Sequence, residues 1–163
     1  MARKSKTLFD KIDVENLFSQ WHKHVREFTE NLDEGCVLEL VKKTPITSFD
    51  STQYKKIQNF TNTDKCVDTL EKVTKEKNKI NFFNLLEERD SFYPREYQRG
   101  INIEEIYESI IKDDYHPILF LELNKNYYII DGRTRFYCCI FLGIPAKIRI
   151  LSDYLLKRNC IKN

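Results

Sequence analysis

The sequence predicts an α+β chain in which a sheet-containing core follows a helical N-terminal part. Two observations carry that reading. Between Tyr127 and Leu151 the apolar residues change from strand to helix and back to strand periodicity. Ahead of that unit, apolar residues recur at helical spacing over Asp13 to Leu32 and again over Ile103 to Lys112. With 163 residues, 41% hydrophobic and 13% aromatic, the chain can build one ordinary core, or a compact domain with an appendage. Only 4 Gly and 4 Pro argue against disorder.

The elements follow in order. Val14, Leu17, Phe18, Trp21, Val25, Phe28 and Leu32 define the first helix, which Asp13 can cap and Gly35 should end. Cys36 to Val41 reads as a strand broken by Lys42-Lys43, and Thr44 to Phe49 as a loop or edge segment. Asp50-Ser-Thr-Gln53 resembles a capping box opening a short helix that carries Tyr54, Ile57 and Phe60. Thr63 or Asp64 caps another helix, with Val67, Leu70 and Val73 on one face. Lys75 to Lys79 is the expected join between the two parts, giving a helical extension over residues 1–78 and a core over 79–163.

Within the core, Ile80 to Leu86 reads as a strand and Glu87 to Ser91 as a polar turn. Pro94 pushes Tyr93 towards extended geometry, so Phe92 to Gly100 is expected to be a loop. Asn102 caps a helix with Ile103, Ile106, Ile110 and Ile111 inward. Pro117 to Leu123 and Tyr127 to Ile130 form a hairpin around Asn124-Lys-Asn126. Phe136 to Leu142 is helical and ends at Gly143, Ala146 to Leu151 is a strand, and Ser152 to Asn159 a terminal helix. An alternative register takes Cys36 to Ile46 as the first strand, with Pro45 to Phe49 as its Pro-containing segment and residues 56–79 as an insertion.

The chemistry concentrates in Asp131-Gly-Arg-Thr-Arg135. Gly132 tolerates the positive φ of a tight turn, and a helix starting there offers free N–H groups and a dipole to an anion. Arg133 and Arg135 add forked donors suited to phosphate oxygens. Thr134 supplies a hydroxyl at or near the N-cap, and Asp131 a carboxylate at a strand's carboxyl end. The same residues also fit a plain strand-to-helix turn with solvated arginines and a capping threonine.

Ile130-Asp-Gly-Arg-Thr-Arg-Phe136 followed by Leu142-Gly143 and a strand resembles the second signature of the ParB/sulfiredoxin superfamily. Its Asp-Gly-x-x-Arg form is similar to that of the free serine kinases. Tyr93-Pro-Arg-Glu96 resembles the family's first signature, and Ile103 to Leu123 its intervening helix and Pro-Ile strand. The resemblance spans residues 79–156, about half the chain. It implies a mixed sheet with packed helices, and a nucleotide-binding protein of kinase type that phosphorylates a small hydroxyl-bearing acceptor or a nucleotide. It further implies Glu96 as general base, with Asp131, Gly132, Arg133, Thr134 and Arg135 around the phosphates. The implied cofactors are ATP or ADP, or CTP, with magnesium. Where the kinases carry His this chain has Arg133 or Thr134. Where sulfiredoxins carry their catalytic Cys it has Arg133, which excludes peroxiredoxin repair.

The second reading is a DNA-associated ParB-like module or nuclease using the same turn. A partitioning role is disfavoured because the chain ends 12 residues past Leu151, leaving no room there for a helix-turn-helix domain. A net charge of +2, from 27 basic and 25 acidic residues, confines any nucleic-acid footprint to a local patch. Five cysteines without a C-x-x-C pair read as reduced thiols of a cytoplasmic protein. His22, His24 and His116 show no ligand spacing, so no protein-held metal is expected. No apolar run is long enough for a membrane span, and no apolar stretch follows the basic start to make a signal peptide.

Overall fold

The computed structural model describes residues 31–58, 66–91 and 102–162. The first expected helix before Asn31, the Thr63/Asp64 cap, and the whole Phe92 to Gly100 loop with Glu96 lie outside the described residues. Among the described residues the chain is α+β. In order it runs α1 (Glu34–Lys43), β1 (Thr47–Phe49), a 3-10 helix (Ser51–Lys56), α2 (Cys66–Glu76), α3 (Lys79–Ser91) and α4 (Ile103–Ile111). It continues with β2 (Ile118–Leu123), β3 (Asn126–Asp131), α5 (Arg133–Leu142), β4 (Ala146–Ser152) and α6 (Asp153–Cys160).

Four strands form one mixed sheet in the order β1-β4-β2-β3. β2 and β3 are an antiparallel hairpin, β4 lies parallel to β2 on its other side, and β1 closes the edge antiparallel to β4. The hairpin turn is Asn124-Lys125, both at positive φ (52° and 67°), the twist that a two-residue connection between strands requires. A parallel partner for β2 needs a crossover, and α5 supplies it.

Side chains alternate across the sheet, so each strand feeds two cores. Ile118, Phe120, Ile129 and Ile148 face one core, shared with α2 to α5 and the 3-10 helix. Leu119, Leu121, Ile130 and Leu151 face the other, covered by Val37 of α1 and Leu156 of α6. The sheet draws β1 from residues 47–49, and Ile57, Leu70 and Val73 share a core with Ile118 and Phe136. Chain from both sides of the expected join at residue 78 therefore builds one body.

Two expected strands are helices. Cys36 to Val41 lies in α1, where Cys36, Val37, Leu40 and Val41 turn inward at helical spacing while Glu39 stays exposed. Asp33 is its N-cap and accepts from Cys36 N at 2.9 Å, which puts Gly35 in the first turn rather than past a helix end. Lys42 and Lys43 are the cations of the last turn, not strand breakers. Arg149 of β4 also closes that end, its Nη1 donating to the carbonyls of Thr44 and, at 3.3 Å, Val41.

Ile80 to Leu86 and the expected polar turn after it both belong to α3. Asn78 starts this helix, its Oδ1 accepting from Asn81 N at 3.0 Å. Phe82, Leu85, Leu86 and Arg89 then point inward at the i, i+3, i+4, i+7 positions of a helix. With no strand at Ile80, the first strand of the sheet falls at Thr47–Phe49, inside the Pro45 to Phe49 segment of the alternative register.

The cysteine reading also changes. Cys36 of α1 and Cys160 of α6 form a disulfide with an S–S distance of 2.08 Å, while Cys138 and Cys139 are buried free thiols on α5. Among the described residues no helix is long and apolar enough to cross a membrane.

Candidate functional site

The turn between β3 and α5 is built by three local features. The β2–β3 register shifts between Leu119 and Phe120, so that Leu119 faces Asp131 while Phe120 faces Ile129. Ile130 is thus the extra residue of a bulge placed immediately before Asp131, and such bulges re-aim the side chains that follow. Gly132 then takes φ 96° as the N-cap of α5. The first intrahelical bond runs from Phe136 N to Gly132 O at 3.0 Å.

Gly132 cannot cap with a side chain, and no other side chain does so. Thr134, expected at or near the N-cap, is the second helical residue and leaves the helix start uncapped. The first-turn N–H groups, which precede the intrahelical ladder, therefore face outward beside the half-buried Thr134. That is an anion-favouring arrangement.

Arg135 folds back across Gly132. Its Nη2 lies 3.4 Å from Asp131 Oδ1, with side-chain exposures of 15% and 20%. Its Nη1 donates to the His116 carbonyl and, at 3.4 Å, to that of Pro117, just ahead of β2. A β-carbon on Gly132 would stand 2.7 Å from Arg135 Nη2 and 3.1 Å from Ile118 Cγ1. Glycine is needed here for its φ and for the passage of the guanidinium. Arg135 thus has the structural task that an arginine at a helix start was thought to lack: it ties the end of β3 to the segment leading into β2.

Arg133 opens the helix, half-buried, one turn before the fully buried Tyr137. Over the Tyr137 ring lies Arg89, 5.1 Å from its centroid and only 7% exposed. The structure thus brings together Asp131, Gly132, Arg133, Thr134 and Arg135, and places a further arginine within one turn of them. Arg89 went unnoticed because its stretch read as a polar turn. The spacing Phe82, Leu85, Leu86, Arg89 was the signal that could have found it.

Behind the turn, Tyr115 joins the last loop to α5 and β4. Its hydroxyl accepts from Lys147 N at 2.9 Å and lies 3.9 Å from Cys139 Sγ, and Lys147 Nζ stands 4.5 Å above its ring. Burial pushes the Cys138 thiol up to about 12 and that of Cys139 up to about 11, the latter against the pull of the Tyr115 hydrogen bond and the Arg135 charge. Neither is a thiolate at neutral pH, so neither is a nucleophile there. Their folded pKa values lie above the ordinary 9.0, so their contribution to stability is complete below pH 9 and is lost as pH rises towards 11 to 12. Each thiol should steepen the alkaline fall in stability by up to about 1.4 kcal/mol per pH unit. Urea midpoints between pH 8 and 10.5 should therefore fall less steeply in Cys138→Ala than in the wild type. Equal slopes would refute the assignment.

Among the described residues no group of three or more His, Cys, Asp or Glu could hold a metal ion. Asp131, the one carboxylate of the turn, is already directed at Arg135. These residues do not make a protein-held magnesium site. No family model, curated protein or solved structure matches the chain.

Proposed function

We propose that the chain is a cytoplasmic, ParB/sulfiredoxin-like nucleotide-binding protein that transfers a phosphoryl group to a small hydroxyl-bearing acceptor or to a nucleotide. One observation carries the reading: α5 begins at a left-handed glycine, with no side-chain cap, at the carboxyl end of β3. A helix start of that kind accepts phosphate oxygens through backbone N–H groups, at the position where sheets with crossover helices place their ligands. The order helix, strand, hairpin, charged turn, helix, strand from Ile103 to Ser152 supports the same family resemblance.

In this proposal the first turn of α5, the Thr134 hydroxyl and Arg133 receive the phosphates of ATP, ADP or CTP. Arg135 holds the turn through Asp131 and the His116 and Pro117 carbonyls. Any magnesium arrives on the nucleotide's own phosphates. Glu96, by resemblance alone, is the base that takes the acceptor's proton. Positioning and charge neutralisation supply most of the acceleration in phosphoryl transfer, and a preformed phosphate cradle offers both.

A thermal-shift panel of ATP, ADP, CTP and GTP with magnesium tests the reading. At about 100 times its dissociation constant, the true ligand should add roughly 2.7 kcal/mol of stability. Thr134→Ala and Arg133→Ala should remove most of that gain while leaving the ligand-free midpoint within about 0.5 kcal/mol of wild type. If no nucleotide stabilises the wild type, the reading fails.

A further inference from the structure

Cys36 and Cys160 stand 124 residues apart in sequence and join the two helices that cover the second face of the sheet. The bond does not stand alone. Beside it Asp33 N donates to Cys160 O at 2.6 Å, Lys162 N donates to Asn31 O at 2.8 Å, and Leu32 pairs with Ile161. The far end of α1 is held independently, by Arg149 on the Val41 and Thr44 carbonyls. Fastening by the disulfide is therefore confined to residues 31–37 and 156–162.

We propose that the Cys36–Cys160 bond is a reversible redox clasp, opened and closed by a small thiol–disulfide couple of the glutathione kind. Its two sulfurs are unequally accessible, since Cys36 is half-buried and Cys160 is 1% exposed. An incoming thiolate attacks the Cys36 sulfur, forms a mixed disulfide there and expels the Cys160 thiolate, which takes up a proton. A second thiolate attacks the small molecule's sulfur in that mixed disulfide and expels Cys36. Two small thiols become one small disulfide, and their two electrons reduce the protein pair. The freed Cys36 has a place prepared for it: its sulfur lies 3.1 Å from the Asn159 carbonyl oxygen, an acceptor for the new S–H. The buried thiols of Cys138 and Cys139 do not compete, because burial keeps both protonated. Once open, the clasp leaves only the short backbone bridge between the two segments, and that bridge opens more often. The sheet and the β3–α5 turn are untouched.

The experiment equilibrates the full chain in buffers of graded reduced-to-oxidised glutathione ratio, traps free thiols by alkylation and reads mass and hydrogen exchange. Cys36 and Cys160 should become alkylated together over a single two-electron transition. Over the same range, exchange at the Asp33 and Lys162 amides should rise by about tenfold or more, while Leu121 and Ile129 stay protected. Cys36→Ser and Cys160→Ser should show the opened pattern at every ratio. If either substitution impairs folding, the reduced wild type carries the comparison. The proposal is overturned if the two thiols stay free in the most oxidising buffer, stay bonded in the most reducing one, or open without changing exchange.

Discussion

Gly132→Ala and Arg135→Ala should each destabilise the chain by about 2 kcal/mol, and the double variant should cost about 1 kcal/mol less than their sum. The first effect has two sources. Alanine at φ 96° is strained, and its β-carbon would press on Arg135 Nη2 at 2.7 Å. The second comes from leaving the Asp131 carboxylate and the His116 and Pro117 carbonyls without their shared donor. Both exposures at the ion pair are low but not zero, so the loss falls short of that of a fully buried pair. Coupling arises because removing the guanidinium also removes the obstacle to the new β-carbon. Ile118 Cγ1 at 3.1 Å remains, which keeps the rescue partial. Urea denaturation of the four proteins measures the cycle. Additivity within about 0.3 kcal/mol would mean that Arg135 does not cross Gly132.

That cycle also bears on the proposed chemistry. A phosphate cradle made of backbone N–H groups works only if the backbone is fixed before the ligand arrives. Arg135 contributes by fixing it, and its positive charge remains within reach of an anion. A nucleotide-binding defect in Arg135→Ala would therefore mix lost rigidity with lost charge. Thr134 and Arg133 isolate the binding contribution more cleanly.

How far the sequence could be read depends on where each signal lies. The unit from Asn102 to Cys160 was legible because its signals are local: an Asn cap, a Pro-Ile start, a two-residue turn and two glycines at helix boundaries. The placement of Asp131, Gly132, Arg133, Thr134 and Arg135 on one strand-to-helix turn was legible for the same reason. The role of Arg135 was not, because its acceptors lie 18 and 19 residues upstream. Nor was the Cys36–Cys160 pairing, which depends on α1 and α6 meeting over the sheet. Gly35 misled because glycine serves at several helix positions, and here Asp33 had already started the helix.

The stretch from Ile80 to Leu86 misled for a different reason, and it supports the second large prediction. Ile80, Phe82, Phe83, Leu85 and Leu86 make an apolar run that fits a strand by composition. A strand would put Ile80, Phe82 and Asn84 on one face. A helix puts Phe82, Leu85, Leu86 and Arg89 together and turns Ile80 outward, 74% exposed. Phe82 is fully buried and stacks on Phe141 of α5, with ring centroids 4.3 Å apart and planes within 6°. Phe82→Ala should therefore cost about 3–5 kcal/mol, since it removes both the buried ring and its stacking partner's contact. Ile80→Ser should change stability by less than about 0.5 kcal/mol, as a surface substitution does. Chemical denaturation of the two variants separates the alternatives, because a strand would make both positions costly. The same result bears on the site. α3 carries Arg89 to the Tyr137 ring only while Phe82 holds the helix against Phe141, so Phe82→Ala should also loosen the base of the turn that Arg133 opens.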